Sequence, residues 1–580
     1  MVGLLVIGRT ALLTLANGES YAARSEHNRL RHSTIIPERG IITDRAGVPL
    51  AFNVAGFRVS VDMRKTDRAT LAQLLTDVAP LVGKDVHELL EFVETHGRDK
   101  EIVVGMLRDW SSATHLITRW KDTNALSIEH TPLRAYDVHP AFSHLLGYIN
   151  SITKEDVEQD QNALLWGERG RSGVELAYDE QLRGMLGVKI IETDSEGMVM
   201  SEGIYQKEER GKNIVLSISG ELQKTMYDAI GRVVEDRGFT GGSGVALDAR
   251  TGEVIGMVSY PGFDLNVIST GFPSEQVSLL FSDPRKPLFF RALAGLYPPA
   301  STVKPFLAAA ALQERIIQPE KIVYTDGRLV IPNPYNPDNP SIFRDWKNHG
   351  PVDMRDAIAV SSDVYFYTIG GGHGNQEGLG RERIARYLSS FGMGQLTGID
   401  LTGEKTGNMP NDAWKAERYP DDPVWRIGDT YNISIGQGGM TVTPLQMARA
   451  TLAIANGGIL KNIQIVHDAM NTAEHEKSLP FESGSLQVAR EGMRRAVLQG
   501  TAIGVSDISL PVAAKTGTAE VGKTGRVHSW FIGFLPWEDP ELVLVINLED
   551  GSALNLVGAT AAAHEILHWY TTGGREMVFN

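Results

Sequence analysis

Short alternating and periodic stretches divide the first third of the chain into many small elements. Residues 57–63 alternate between apolar and polar, which predicts a short strand. Residues 68–97 carry apolar positions at helical spacing, which predicts helix; they are Leu71, Leu74, Leu75, Val78 and Leu81. Residues 172–184 are predicted as a helix that stops at glycine. No catalytic constellation occurs in this third, so we interpret it as a scaffold.

A different pattern begins near Gly211, where longer apolar strands and helices follow one another. Apolar runs bounded by turn residues predict strands at 243–248, 253–259, 511–520, 527–534 and 542–548. Periodicity predicts helices at 222–234 and 560–571, and helical segments fill much of 275–500. Two strands, a helical insert, three strands and a closing helix together predict one sheet with helices on its faces.

The composition is that of a folded, acidic protein. Of 580 residues, 42% are hydrophobic and 22% are charged, and the length suggests roughly three or four domains. The formal net charge is −15 and no long basic run occurs, which gives nucleic-acid binding no support. The chain has no cysteine, which excludes disulfides, thiolate metal sites and cysteine nucleophiles.

The start of the chain is apolar but short for a membrane span. Residues 1–16 are interrupted by Arg9, Thr10 and Thr14, whereas a span needs about 20 apolar residues. The basic start of a secretory signal is also missing. The residues leave two interpretations open, the outer part of a membrane anchor or an amphipathic helix.

The candidate chemistry centres on residues 297–306, which read Tyr-Pro-Pro-Ala-Ser-Thr-Val-Lys-Pro-Phe. The leading prolines predict a loop that enters a helix at about Ala300. Ser301 and Lys304 then share one helix face as residues i and i+3. Because Pro305 has no N–H, we expect the Ser301 carbonyl to lack its helical partner. A hydroxyl beside an amine is a nucleophile next to a base, although a serine here is also an ordinary helix cap.

Copies of the same short motifs occur elsewhere, and their context separates them. Lys-Thr-Gly begins at Lys405, Lys515 and Lys523, but only Lys515 ends an apolar run and is predicted on a strand. Lys405 lies in loop composition, and Lys523 lies at the predicted tip of a hairpin. A second Ser-x-x-Lys begins at Ser151 and is explained by helix capping.

Two further patterns suggest other chemistry. Residues 517–524 match the nucleotide-binding pattern G-x-x-x-x-G-K-T, but a strand is predicted where the phosphates would need a helix. Asp345 and His349 have a spacing that would chelate a metal on a helix. With no cysteine in the chain and no second histidine close by, we interpret them as a surface pair.

Three motifs in a fixed order select one class of reaction. They are residues 301–304, residues 361–363 on a helix predicted at 354–367, and residues 515–518 on a predicted strand. The order S-x-x-K, S-D-N and K-T-G is typical of penicillin-binding proteins and related β-lactamases. Each motif alone is a weak signal, and the three together are a strong one.

Six stretches of the sequence resemble those of a known protein family, and the resemblance covers nearly the whole chain. They are RGIITDR at 39–45, YPPASTVKP at 297–305, RDWK at 344–347, GNMP at 407–410, GQG at 436–438 and KTGTA at 515–519. The chain resembles the class B penicillin-binding proteins, and most closely the penicillin-binding protein 2 group, the transpeptidases of cell elongation. The RDWK and GNMP stretches favour the elongation type over the septal type. One departure is Asp363, where the general pattern has asparagine.

The resemblance implies an α+β protein of several domains. Residues 1–20 are expected to be a partial or degenerate membrane-anchor segment, and residues 21–210 a non-catalytic, dimerisation-like pedestal of short strands and helices. Residues 211–580 are expected to form the transpeptidase domain, an antiparallel five-stranded sheet flanked by helices. No cofactor is expected. Some relatives bind zinc near the RDWK loop through a cysteine, which this chain lacks, so we assign no metal.

The resemblance also implies a role for each catalytic residue. Ser301 attacks the carbonyl between two D-alanines of a donor stem peptide, and a neutral Lys304 takes its proton. Lys515 is the nearby cation. Ser361 relays the proton to the departing amine, and Asp363 orients the lysines.

The third motif is expected to bind the donor. Lys515, Thr516 and Thr518 hold its terminal carboxylate on the strand that includes Gly517. The backbone N–H groups of Ser301 and Thr518 form the oxyanion hole. The acyl-enzyme then passes to an amine of a neighbouring stem peptide, and a β-lactam acylates Ser301 because it mimics the donor.

The expected location is the inner membrane, with the bulk of the chain on its periplasmic side. Expected partners are peptidoglycan stem peptides, β-lactams, a polytopic glycan polymerase and a scaffold of the elongation complex, with no nucleic acid. The alternative function is a D,D-carboxypeptidase, or a β-lactam-binding protein with little cross-linking activity. A β-lactamase is normally far shorter, a β-lactam sensor needs a signalling membrane segment, and an inactive scaffold would not need the intact motifs.

Overall fold

The computed structural model describes residues 30–96, 101–193, 199–333, 336–467, 476–522, 524–555 and 557–579. The anchor segment predicted at 1–20 lies outside these residues. Within these ranges, no helix is both long and apolar enough to cross a membrane.

The strands are β1 Leu30–Ile35, β2 Ile42–Thr43, β3 Pro49–Asp62, β4 Glu101–Leu107, β5 Leu126–Tyr136, β6 Ile149–Ser151, β7 Glu168–Gly170, β8 Gly187–Thr193, β9 Val199–Gln206, β10 Ile214–Val215, β11 Gly241–Asp248, β12 Val254–Tyr260, β13 Val323–Thr325, β14 Arg328–Ile331, β15 Ser341–Arg344, β16 Gly350–Val352, β17 Ile459–Leu460, β18 Lys477–Ser478, β19 Ala513–Glu520, β20 Arg526–Leu535 and β21 Leu542–Ser552.

The α-helices are Arg68–Val78, Val86–His96, Trp110–Arg119, Ser143–Leu146, Lys154–Gln159, Gly173–Ala177, Asp179–Arg183, Gly220–Arg237, Leu265–Thr270, Ser274–Ser282, Arg291–Ala294, Lys304–Gln313, Met354–Ala359, Asp363–Gly371, Gly380–Ser390, Asp412–Arg418, Ile427–Ser434, Pro444–Ala455, Ser483–Gln499, Gly558–Trp569 and Arg575–Phe579.

Two small sheets organise the N-terminal part. One has the order β1-β8-β9, and in the other the long strand β3 pairs with β2, β4 and β5. β10, which follows residue 211, also joins this second sheet, in parallel with β2. The helix Arg68–Val78 buries Leu71, Leu74, Leu75 and Val78 as its spacing predicts, while Leu81 lies beyond its end and is exposed.

The C-terminal part is built on a five-stranded antiparallel sheet with the order β12-β11-β21-β20-β19. Successive residues of the central strand β21 point to opposite faces. Val543 and Val545 pack into the core that holds the helices Lys304–Gln313 and Pro444–Ala455, and Leu544 and Ile546 pack against the helix Gly220–Arg237 and the closing helix. The predicted sheet with helices on both faces is confirmed.

Three helix predictions were wrong in their continuity. The helix predicted at 354–367 is two helices, Met354–Ala359 and Asp363–Gly371, and the helices predicted at 172–184 and 68–97 are also each divided in two. In the first case Ser361 has φ of 61°, which no α-helix accommodates. Apolar residues at helical spacing continue across this break, so the pattern does not reveal it.

Candidate active site

Ser301 lies in a 3₁₀ turn, Ala300–Val303, that leads directly into the helix Lys304–Gln313. The Lys304 N–H donates to the Ser301 carbonyl. The carbonyl lacks its α-helical partner as expected, because residue i+4 is Pro305, but the tighter i→i+3 bond of a 3₁₀ turn satisfies it. Ser301 is partly exposed and Lys304 is fully buried, one turn further along.

The nucleophile turn rests on the GQG stretch. Ala300 has φ of 51°, a left-handed conformation that is costly for a residue with a side chain. Its N–H donates to the Gly436 carbonyl at 2.9 Å. A Cβ on Gly436 would lie 2.2 Å from the Ala300 carbonyl oxygen, so only glycine fits there. The contact with Gly436 thus maintains the strained backbone conformation of Ala300, directly before the nucleophile Ser301.

Strand β19 packs against the other side of the same turn. A Cβ on Gly517 would lie 3.0 Å from Cγ2 of Thr302 and 3.1 Å from the Pro299 carbonyl oxygen. The Trp530 indole N–H, on neighbouring β20, donates to the Pro298 carbonyl at 2.9 Å. The strand that carries the third motif therefore packs directly against the turn that carries the first.

Ser361 lies in the short connection between its two helices. Ser362 is the N-cap of the helix Asp363–Gly371, and its hydroxyl accepts the Tyr365 N–H at 3.3 Å. Val360 ends the preceding turn of helix, with its N–H on the Asp356 carbonyl at 2.8 Å. The left-handed Ser361 between these two ends is 6% exposed and faces the lysines of the other motifs.

Both lysines converge on the Ser361 hydroxyl. Lys515 Nζ lies 3.0 Å from Ser361 Oγ and donates to the Thr516 carbonyl at 2.7 Å. Lys304 Nζ lies 3.3 Å from the same Oγ, and it donates to the Ser361 carbonyl at 2.7 Å and to Asp363 Oδ1 at 2.6 Å. The three motifs, distant in sequence, thus form one hydrogen-bonded cluster.

The two lysines differ in their charged neighbours. Lys304 forms an ion pair with Asp363, whereas Lys515 has no carboxylate within ion-pair distance in the described part of the chain. Burial, together with the nearby Lys304 ammonium, lowers the pKa of Lys515 well below its usual range. This lowered pKa disfavours the ammonium form of Lys515 relative to that of an exposed lysine.

The expected carboxylate-binding residues lie along β19, which is an edge strand of the sheet. Thr518 is exposed and Thr516 is half-buried, and the Thr516 hydroxyl donates to the Thr501 hydroxyl at 2.7 Å. Because side chains alternate along a strand, Thr516 and Thr518 share one face, and Lys515 and Gly517 share the other. An edge strand offers free backbone groups to an extended peptide.

The sequence did not predict that the RDWK stretch contributes contacts to this site. The Trp346 indole N–H donates to the Ser361 carbonyl at 3.3 Å, and Asp345 Oδ2 accepts the Ser362 hydroxyl at 2.9 Å. The interpretation of Asp345 and His349 as a surface pair was wrong, because their side chains are 0% and 4% exposed. In the sequence the stretch stands out only as a family signature and, with His349, as a possible metal-binding pair, since nothing in sequence links it to Ser361.

The residues here do not fit a metal ion. Among the residues that the structure describes, no three histidine, aspartate or glutamate side chains are placed to hold one. Asp345 and His349 lie in a loop rather than on a helix, and both carboxylate oxygens of Asp345 accept protein hydrogen bonds. We therefore assign no chemical step to a metal.

Within the described part of the chain, the other copies of the motifs form no hydrogen bond with this cluster. Ser151 ends β6, and Thr153 rather than Ser151 caps the following helix. Lys405 lies in a loop. β20 follows the nucleotide-binding pattern, so no helix begins where the phosphates would need one. The predicted hairpin tip at Lys523 lies outside the described residues.

Comparisons with known proteins agree with this arrangement. The penicillin binding protein transpeptidase domain family matches residues 242–568, and the penicillin-binding protein dimerisation domain family matches residues 34–216. Peptidoglycan D,D-transpeptidase MrdA of Haemophilus influenzae is 31% identical over 601 residues, covering 96% of this chain and 88% of the relative.

Solved structures show the same likeness over nearly the whole chain. A complex between penicillin-binding protein 2 and MreC from Helicobacter pylori matches with a TM-score of 0.79 at 26% identity, covering 94% of this chain and 99% of that one. A peptidoglycan synthase complex that coordinates polymerization and crosslinking matches with a TM-score of 0.72 at 26% identity, covering 99% and 97%.

Proposed function

The chain belongs to the penicillin-binding protein transpeptidase family, as a peptidoglycan D,D-transpeptidase of the cell-elongation type, and we propose that it acts through an acyl-enzyme on Ser301. The observation that carries this proposal is the convergence of Lys304 and Lys515 on the Ser361 hydroxyl, at 3.3 and 3.0 Å. An acyl transfer needs a nucleophile, a base and a proton path to the leaving amine, and this cluster supports all three.

We propose that binding of the donor prepares the base. In the resting site Lys304 is paired with Asp363, and burial beside Lys304 lowers the pKa of Lys515. We propose that Lys515 is the neutral amine before the donor binds. A donor carboxylate placed beside Lys515, Thr516 and Thr518 brings a negative charge that favours the ammonium form of Lys515. The Ser361 hydroxyl lies between the two amines and passes one proton from Lys304 to Lys515. Lys304 is then the neutral base that the chemistry requires.

The acylation step follows from this state. Lys304 takes the proton of the Ser301 hydroxyl while its oxygen bonds to the scissile carbonyl carbon. The backbone N–H groups of Ser301 and Thr518 hold the oxyanion. Ser361 then gives its proton to the amine of the departing D-alanine and regains one from a neighbouring lysine. An amine of a second stem peptide attacks the ester, which forms the cross-link and frees Ser301.

The hydrolytic alternative is not favoured by the relatives, which are named transpeptidases over nearly the same length. We further propose that the chain is tethered at the inner membrane and faces the periplasm, because the peptidoglycan substrate lies outside that membrane. The complex with MreC and the synthase complex support a scaffold protein and a glycan polymerase as partners of this chain. Residues 21–210 as pedestal and 211–580 as transpeptidase domain remain our proposed boundaries.

Labelling with fluorescent penicillin tests the nucleophile. We expect the wild-type chain and Ser151→Ala to be labelled, and Ser301→Ala to show no label, because Ser301 lies one turn before Lys304 whereas Ser151 ends β6. Ser151→Ala is the matched control, since it removes the hydroxyl of the other Ser-x-x-Lys copy. Equal labelling of both variants would refute the assignment.

An acceptor assay tests the reaction. The purified chain is given a donor peptide ending in D-Ala-D-Ala, with and without an amine acceptor, and the released D-alanine and the acyl products are measured. We expect the amine-linked product to form when the acceptor is present. Release of D-alanine with only the hydrolysed donor as product would instead indicate a carboxypeptidase.

A further inference from the structure

Asp345 is a buried carboxylate whose two oxygens each accept two hydrogen bonds. Oδ1 accepts the Trp346 N–H at 2.9 Å and contacts the His349 ring at 3.3 Å. Oδ2 accepts the Ser362 hydroxyl at 2.9 Å and the Val364 N–H at 3.0 Å. The side chain is 0% exposed. A buried charge with this many donors is fully satisfied, and it fixes the groups that donate to it.

Two of these donors belong to the start of the helix Asp363–Gly371, directly after the proton relay. Ser362 is the N-cap of this helix, and the Val364 N–H is one of the donors that the first helical turn leaves without a partner. A negative charge at a helix N-terminus is stabilised by the helix dipole. Asp345 therefore anchors the backbone that leaves Ser361.

The residue after Asp345 holds Ser361 itself. The Trp346 indole N–H donates to the Ser361 carbonyl, which also accepts Lys304 Nζ. Trp346 is 60% exposed, so burial of its ring does not explain its position. The RDWK loop thus contacts the Ser361 turn at the Ser361 carbonyl and again at Ser362 and Val364.

The conformation of the turn at Ser361 must be maintained by contacts from other parts of the chain. Ser361 has φ of 61°, and a left-handed conformation costs a residue with a side chain roughly 1–2 kcal/mol. Neither neighbour is a glycine that would relieve the strain. The position of the Ser361 hydroxyl between the two lysines is therefore imposed by tertiary contacts.

We propose that Asp345 is a positioning residue for the transpeptidase reaction. Through Trp346, Ser362 and Val364 it holds the Ser361 hydroxyl between Lys304 and Lys515, as a hydrogen-bonded clamp built without a metal. The inference rests on the proposed role of Ser361 as the proton relay to the leaving group. It assigns a function to a loop that, among the described residues, forms no hydrogen bond with Ser301 or with the threonines of β19.

The test uses two donors with different leaving groups. Departure of an amine needs a proton from Ser361, whereas departure of a thiolate from a matched thioester donor does not. We expect Asp345→Asn to slow acylation by penicillin and by the D-Ala-D-Ala donor by about 100-fold. Acylation by the thioester should stay within about threefold of wild type. Ser361→Ala should show the same preference for the thioester.

Asp353→Asn is the matched control. Asp353 caps the helix Met354–Ala359 on the other side of the turn, where its carboxylate accepts the Asp356 N–H at 2.8 Å. The chemical change is the same, but no contact to the turn at Ser361 is lost. We expect both donors to react as in wild type. An equal loss for both donors in Asp345→Asn would show a structural role only and overturn the proposal.

Two further experiments test the proposal even if the Asp345→Asn variant folds poorly. Trp346→Phe removes only the indole donor of an exposed side chain, and we expect a smaller loss with the same dependence on the leaving group. Treatment of the wild-type chain with a metal chelator should leave both rates unchanged, and a selective loss of amine release would overturn the clamp. Penicillin labelling of Ser301→Ala would instead contradict the proposed function itself.

Discussion

Single residues in this protein act through backbone conformations that they do not favour. Ala300 and Ser361 both have left-handed φ values, 51° and 61°; Ala300 directly precedes the first catalytic motif and Ser361 begins the second. Each is held from outside its own segment, Ala300 by the Gly436 carbonyl and Ser361 by Lys304 and Trp346. Strain of this kind persists only where the surrounding structure imposes it, and it places the reacting groups in advance.

Gly436→Ala tests the support of the nucleophile turn. The new Cβ would meet the Ala300 carbonyl oxygen at 2.2 Å, so the turn must move. We expect acylation by fluorescent penicillin to fall by about tenfold or more. Gly457→Ala is the control, because Gly457 has a similar φ of 80° with nothing within 4 Å of a new Cβ. Both variants carry the conformational cost of about 1–2 kcal/mol, measured by denaturant unfolding. Equal acylation rates would contradict the role of Gly436.

At the scale of elements, the local sequence predicts some helices and strands near the site well and others poorly. The strands of the C-terminal sheet were predicted from apolar runs to within a few residues, because both faces of this sheet are covered. The break at Ser361 was not predicted, because apolar residues at helical spacing continue through it. Its cause is a set of contacts from the loop after β15 and from Lys304, which come from elsewhere in the chain.

The helix Ser143–Leu146 couples the N-terminal part to the transpeptidase part through His144. The His144 Nε2 atom lies 2.6 Å from the Pro287 carbonyl, and the ring stacks on Phe290. Burial lowers the pKa of His144 to about 4, and the nearby Arg291 charge acts in the same direction. The folded protein therefore holds this imidazole neutral at pH values where the unfolded chain is protonated.

The lowered pKa of His144 predicts that the protein loses stability in acid over a defined pH range. Between pH 6.5 and about 4 the unfolded chain binds a proton that the folded chain does not, so the free energy of unfolding falls as pH falls. Above pH 6.5 the contribution vanishes. We expect a loss of up to about 1.4 kcal/mol per pH unit in this window, measured by denaturant unfolding. His144→Gln should flatten the slope and the exposed His115→Gln should not; an unchanged slope in His144→Gln would contradict the assignment.

At the scale of the whole molecule, polar bridges tie the two parts together. Gln223 donates to the carbonyls of Ala141 and Met257, at 2.9 and 2.7 Å. The Tyr178 hydroxyl donates to Asp400 Oδ2 at 2.6 Å, and the same carboxylate accepts the Ile465 N–H at 2.8 Å. Two of these bonds, Gln223 to Ala141 and Tyr178 to Asp400, cross between the two parts, so they hold the pedestal against the catalytic part.

Tyr178→Phe tests this coupling. The variant keeps the ring and loses one hydrogen bond to a half-buried carboxylate, so we expect the free energy of unfolding to fall by about 1–2 kcal/mol. Tyr324→Phe is the control, because Tyr324 is 70% exposed, and its effect should stay within about 0.5 kcal/mol. Penicillin acylation should be unchanged in both variants. Equal stability of the two would show that the bridge does not hold the parts together.

The sequence by itself determined the reaction class, the order of the three motifs and the architecture of the central sheet. It did so because spacing along one helix or strand and apolar runs are local properties, which a sequence carries directly. Only the tertiary structure decided which lysine is paired with Asp363, how Ser361 comes to lie between the amines, and that Asp345 belongs to the site. Charge and strain at these positions depend on burial and on partners far along the chain, and residue spacing does not encode them.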